Sequence, residues 1–172
     1  MNATELAVNL IALHGGEVVG RTRLQKRTYL LHRCGGDFEL SFVYHHYGPY
    51  SFDLADGLID ARAEDLIEIE EKQGSYGVPY AVFRLKQSLA EPARLGDLPI
   101  CDARRLLGTM AEERSDIVLE IAATIVFLRD EGGYKNQAIE ETKVRKPLKA
   151  TQQRLSRAQS LICDLGLSVA LV

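Results

Sequence analysis

Apolar residues recur at helical spacing over Ala3–Leu13, where Leu6, Leu10 and Leu13 share one side and His14-Gly15-Gly16 ends the run. Glu17–Gly20 is short, extended and closed by glycine. A second helix is predicted over Arg21–Cys34, stopped by Gly35-Gly36. Leu24, Leu31 and Cys34 would share its inner face, with Leu30 at the edge and Gln25, Tyr29, His32 and Arg33 on the other side. Glu39–His46 has the aromatic and β-branched content of a strand, and Tyr47-Gly48-Pro49-Tyr50 is a turn. Ser51 is a good N-cap for a third helix to about Ala63, with Leu54, Leu58 and Ala61 as its buried stripe. Leu66–Glu71 and Tyr80–Lys86 read as two strands of a hairpin, joined through Gln73–Gly77.

Beyond Ala90–Pro99, which reads as a connector, the pattern turns helical. Candidate helices cover Asp102–Glu113, Asp116–Arg129 behind the cap Ser115, Asn136–Thr142, and Thr151–Leu165 before Gly166. The fold class expected is α+β, mostly helical: a winged-helix-like N-terminal half with a β-hairpin, packed on a C-terminal helical segment. Its parts are a module over 1–88, a connector over 89–101 and a helical segment over 102–172, packed as one compact unit. In DNA-binding winged helices the third helix enters the groove. Here it carries Asp53, Asp56 and Asp60 on one side, and carboxylates repel phosphates.

Composition narrows the picture. Among 172 residues, 46% are hydrophobic and 26% charged, ordinary for a folded protein. A net charge of -3 offers no global field for nucleic acid. Cys34, Cys101 and Cys163 are odd in number, far apart and lack a C-x-x-C, so reduced, mostly buried thiols are expected rather than disulfides or structural zinc. Met1–Leu13 carries Glu5 and lacks a basic start, unlike a signal peptide. No apolar run nears the ~20 residues that cross a bilayer. A cytoplasmic protein without membrane contact is expected. The apolar end Leu167–Val172 suits a sheet edge or a second subunit, which leaves a homo-oligomer open.

Candidate chemistry is sparse. His45 and His46 on a strand would point to opposite faces and cannot share an ion, so neither metal nor other cofactor is expected. No spacing suggests a catalytic centre. Tyr44–Tyr50 is either an aromatic turn packing the third helix on the second or a contact surface for a partner. As a contact surface, its residues would be Gln25, Tyr29, His32, Tyr44, His46, Tyr47 and Tyr50. Arg21, Arg23 and Lys26 are basic at a helix start and could meet phosphate, although no P-loop is present. Lys143, Arg145, Lys146 and Lys149 open a basic stretch running to Arg157 without an acid. The helices before it are rich in acids: Glu112, Glu113, Asp116, Glu120, Asp130, Glu131, Glu140 and Glu141. The stretch is therefore read either as internal charge pairing or as a patch for nucleic acid.

Gly20-Arg21-Thr22-Arg23-Leu24-Gln25-Lys26 with Tyr29-Leu30-Leu31, Tyr47-Gly48-Pro49-Tyr50-Ser51 with Leu54, and Gly57-Leu58-Ile59 resemble the uncharacterised YwgA-like proteins of bacteria and archaea. Arg145-Lys146-Pro147, Lys149-Ala150-Thr151 and Leu165-Gly166-Leu167 extend that resemblance. Leu24-Gln25-Lys26 and Tyr47-Gly48-Pro49 are also similar, more distantly, to the Panacea domain. That likeness implies an antitoxin or a protease adaptor. The expected function is a non-enzymatic protein-interaction module, antitoxin-like, adaptor or defence-associated, whose partner is a toxin or defence component. The alternatives are a nucleic-acid-binding regulator and an enzyme acting on a nucleotide or phosphoester.

Overall fold

The computed structural model describes residues 1–88 and 90–167. It is α+β, with seven α-helices and small antiparallel sheets among the described residues. The tail after Leu167, expected as a sheet edge or subunit contact, lies outside the described residues.

Helix α1 (Ala3–Leu13) starts on a capping box between Asn2 and Glu5. Strand β1 (Glu17–Val19) leads into α2 (Arg21–Leu31), and a hairpin of β2 (Val43–His45) and β3 (Gly48–Tyr50) leads into α3 (Phe52–Ala63). The Ser51 hydroxyl accepts the Leu54 N–H and caps α3. Gly57 lets α3 lie close on α1, since a Cβ there would come within 2.6 Å of the Ala3 carbonyl. Strands β4 (Ile67–Gln73) and β5 (Pro79–Leu85) form the long hairpin, and β1 adds to the free edge of β5 in the order β1-β5-β4. Val18, Ile67, Ala81 and Phe83 point from this sheet into the core.

A two-residue strand pair, β6 (Arg94–Leu95) and β7 (Leu98–Pro99), precedes α4 (Ile100–Glu112). Helix α5 (Asp116–Asp130) is the axis of the molecule. Every residue from Val118 to Leu128 is buried, because α2, β3, α6 (Ala138–Arg145) and α7 (Gln152–Asp164) surround it. Burial on all sides explains why its sequence lacks a polar stripe. One continuous core runs from Leu6 to Leu165 and draws on both halves of the chain.

Several boundaries differ from the sequence pattern. Helix α2 ends at Leu31 rather than Cys34, and His32–Gly36 makes a wider turn in which Gly35 has φ 102°. The His32 Nδ1 accepts the Phe38 N–H there and redirects the chain. The strand expected over Glu39–His46 shrinks to three residues, because Phe38 and Leu40 are drawn into the core. The short helix expected at Asn136–Thr142 is displaced to Ala138–Arg145 by a preceding 3-10 turn. Cys101 and Cys163 are exposed, not buried, since they fall on the outward sides of α4 and α7. Cys34 is half-buried, and burial pushes its thiol up to about 11.

Candidate functional site

Helix α2 grips the hairpin and the start of α3 through two consecutive side chains. Gln25 Nε2 donates to the Ser51 carbonyl, and its Oε1 accepts the Ser51 N–H, both at 2.9 Å. The backbone N–H and C=O of buried Ser51 are thus both satisfied by one side-chain amide. Lys26 Nζ donates to the Pro49 carbonyl at 2.7 Å. At the head of β3, Gly48 has φ +89° and faces Thr124 of α5, whose Oγ1 would lie 2.4 Å from any Cβ. Leu24-Gln25-Lys26 and Tyr47-Gly48-Pro49-Tyr50-Ser51 are therefore two halves of one internal clasp.

Behind this clasp lies an ionic cluster. Glu120, 3% exposed and set in the otherwise apolar α5, accepts Lys146 Nζ at 2.6 Å and Lys149 Nζ at 2.8 Å. Lys146 is itself buried, whereas Lys149 reaches the surface and places its ammonium 4.8 Å from the Tyr47 ring centroid. Lys26, 1% exposed, is close enough to feel these charges, yet its ammonium makes no ion pair among the described residues. Burial lowers its pKa to about 7; Glu120 pulls it back up, and Lys146 and Lys149 press it down.

In front of the clasp is an exposed aromatic face. The His45 ring meets His46 at 4.5 Å and Tyr50 at 5.2 Å, and Tyr50 meets Phe52 edge-on at 5.0 Å. Tyr47 is 53% exposed and Phe52 56%, with Ile59 and Val43 on the same hairpin and helix also open to solvent. His45, Tyr47, Tyr50 and Phe52 line a cleft of about 220 Å³ together with Arg21, Thr22, Gln25 and Lys26. Arg21 stands at its rim, paired with Glu71 at 2.6 Å, both more than half exposed.

The residues expected on a contact surface divide into two groups. His46, Tyr47 and Tyr50 are on the face. Gln25 and Tyr29, 3% and 0% exposed, are not, because α2 is enclosed by the hairpin on one side and α5 on the other. The Tyr29 hydroxyl donates to Glu131 at 2.7 Å, and burial raises its pKa. His32 is a half-buried turn residue stacked on Phe42, and burial lowers its pKa. Tyr44 is half-covered by the Arg145 guanidinium, 4.4 Å from its ring centroid.

The expected phosphate contacts are similarly reassigned. Lys26 and Lys146 are buried and cannot lie along a nucleic-acid backbone. Arg23 pairs with Asp116, Lys143 with Glu140, Arg145 with Glu141, and Arg157 with Glu113. The basic stretch meets acids of this same chain, mostly at the surface, with Lys146–Glu120 the buried pair. His45 and His46 do not diverge, because His46 lies past the end of β2 and its ring folds back on His45. No group of three or more His, Cys, Asp or Glu is placed to hold a metal among the described residues.

Phe52 and His45 belong to the site although the candidate contact set omits them. The signal for Phe52 was present, since it is apolar yet off the Leu54–Leu58–Ala61 stripe. Glu120 was also detectable as a lone charge within Ile117–Leu128.

Among known proteins, the chain is similar to the uncharacterized protein YwgA of Bacillus subtilis (strain 168), with 31% identity over 117 residues. The match covers 65% of this chain and 66% of that protein, so it spans just under two thirds of the relative's length. No family model matches. The chain is YwgA-like over that stretch, and no described helix is long and apolar enough to cross a membrane.

Proposed function

We propose that the chain is a non-enzymatic protein-interaction module that engages its partner through the face formed by His45, His46, Tyr47, Tyr50 and Phe52. The observation that carries this reading is the mutual stacking of exposed rings around a cleft, with Tyr47 and Phe52 each more than half open. Aromatic side chains present large apolar area at low entropic cost, which is why they anchor interfaces. The clasp beneath them fixes their positions before any partner arrives. An adaptor or antitoxin-like role, with a toxin or defence component as partner, suits such a preformed face.

A winged-helix reading is supported by the succession α1-β1-α2-α3-β4-β5 and by the pairing of β1 with β5. A DNA-reading role for α3 is less well supported, because Asp53, Asp56 and Asp60 are all exposed on it. The test is capture from an extract of the cells that encode the chain, comparing wild type with Tyr47→Ala/Phe52→Ala. Loss of the specific partner by a variant with unchanged thermal unfolding is expected. Retention of every partner by the folded variant would overturn the reading.

A further inference from the structure

Helix α3 carries two apolar stripes, and the core uses one of them. Leu54, Leu58 and Ala61 are buried against the rest of the molecule. Phe52 and Ile59 lie two turns apart on another side, with Ala55 between them, and are 56% and 61% exposed. Between this second stripe and the β4–β5 hairpin runs a groove of about 170 Å³. Ala55, Leu58 and Ile59 form its helix side, and Ile69 and Phe83 its sheet side. Tyr50, Gln25 and Arg21 line both this groove and the aromatic cleft, so the two hollows adjoin as one trough. Aligned apolar side chains left open along such a trough mark a contact site.

The charge along the trough is one-sided. Asp56 is four residues from Phe52 and three from Ile59, so it stands beside both, and Asp60 follows one turn on. Both are exposed, and neither has an ion-pair partner among the described residues. Arg62, in the last turn, is the single base on α3 against Asp53, Asp56 and Asp60. On the opposite rim, Arg21 is already neutralised by Glu71, and the Lys26 ammonium is spent on the Pro49 carbonyl. We infer that the trough docks a basic amphipathic helix of a protein partner, its apolar face laid along Phe52, Ala55 and Ile59 and its Lys or Arg residues set against Asp56 and Asp60. A helix is the matching shape, because the Phe52–Ala55–Ile59 spacing is the ridge that a second helix packs on. The apolar trough supplies the affinity and the carboxylates select the sign of the partner's charge. The inference rests on the contact face proposed above and names the chemistry of what binds there.

The probes are three synthetic helical peptides that share one face of Leu and Phe and carry Lys, Gln or Glu on the other. Each is labelled and titrated into the full chain by fluorescence anisotropy, and amide NMR shifts locate the site. At low salt the Lys peptide is expected to bind at least about tenfold more tightly than the Glu peptide. The Gln peptide should fall between them, and the gap should narrow as salt rises. Shifts should centre on Ala55, Ile59, Ile69 and Tyr50. Asp56→Asn/Asp60→Asn should remove most of the preference for Lys over Glu while leaving the Gln peptide's affinity unchanged. Ile59→Ser, at an exposed position, should weaken all three peptides several-fold without altering thermal unfolding. Equal binding of the Lys and Glu peptides, no saturable binding of any of them, a preference that survives in the double Asp variant, or shifts away from the trough overturns the inference. Capture of a cellular partner through Tyr47 and Phe52 alongside equal peptide binding defeats this inference alone. A Lys preference that tracks Asp56 and Asp60 alongside unaffected capture defeats the proposed function alone.

Discussion

Lys26 shows how one residue can hold a fold together and still keep a titratable group under tension. Its stem is buried in α2 and its ammonium is tied to the Pro49 carbonyl. Burial brings its pKa from the ordinary 10.5 to about 7. Between those values the unfolded chain binds a proton that the folded chain does not, so stability rises with pH. The penalty is fully present below about 7 and is relieved as pH climbs toward 10.5. Urea unfolding of wild type and Lys26→Met across this window tests it. Wild type should gain on the variant as pH rises, by on the order of a few kcal/mol over the full range. A constant difference between the two proteins would mean that the ammonium is not held out of water.

At the scale of elements, the decisive join is β3 against α5. Gly48 combines a left-handed backbone with contact on Thr124, so Gly48→Ala is disfavoured twice. A loss of about 2–4 kcal/mol is expected from denaturant unfolding. In the double variant Gly48→Ala/Thr124→Ala the steric part should return while the backbone part persists, giving a non-additive cycle. Full additivity would show that β3 has room to move away from α5. The helices themselves were largely legible in the sequence, because their caps are local. Ser51, Ser115 and Thr151 each accept the N–H three residues on, and Gly166 has φ 72° at the end of α7. The end of α2 was not, since a side-chain bond from a residue six positions away sets it.

For the whole molecule, Glu120 ties the C-terminal segment to the centre by holding Lys146 and Lys149. Glu120→Gln leaves the buried Lys146 ammonium without a counter-charge, and a loss of roughly 3–5 kcal/mol is expected from thermal or urea unfolding. Glu120→Leu/Lys146→Met should recover much of it, because an apolar pair of similar volume fits a core helix. If the single variant is as stable as wild type, the segment after α6 is held by packing alone. The same cluster shows why the basic stretch Lys143–Arg157 misleads when read as a string. Its partners lie at the C-cap of α4, on α5 and on α6, two of them more than twenty residues upstream.

Sequence alone determined the helices, their caps, the β4–β5 hairpin and the overall α+β character, because periodicity and capping are encoded within a few neighbouring residues. It also marked Leu24-Gln25-Lys26 and Tyr47-Gly48-Pro49-Tyr50-Ser51 as two motifs. Only the tertiary structure decided what those motifs do. A helical wheel places Gln25 and Tyr29 on a polar side, but that side of α2 is enclosed between the hairpin and α5. Enclosure depends on what packs against a helix, which no local pattern contains. For that reason the polar residues became an internal clasp, and the rings of Tyr47, Tyr50 and Phe52 were left outside around the cleft.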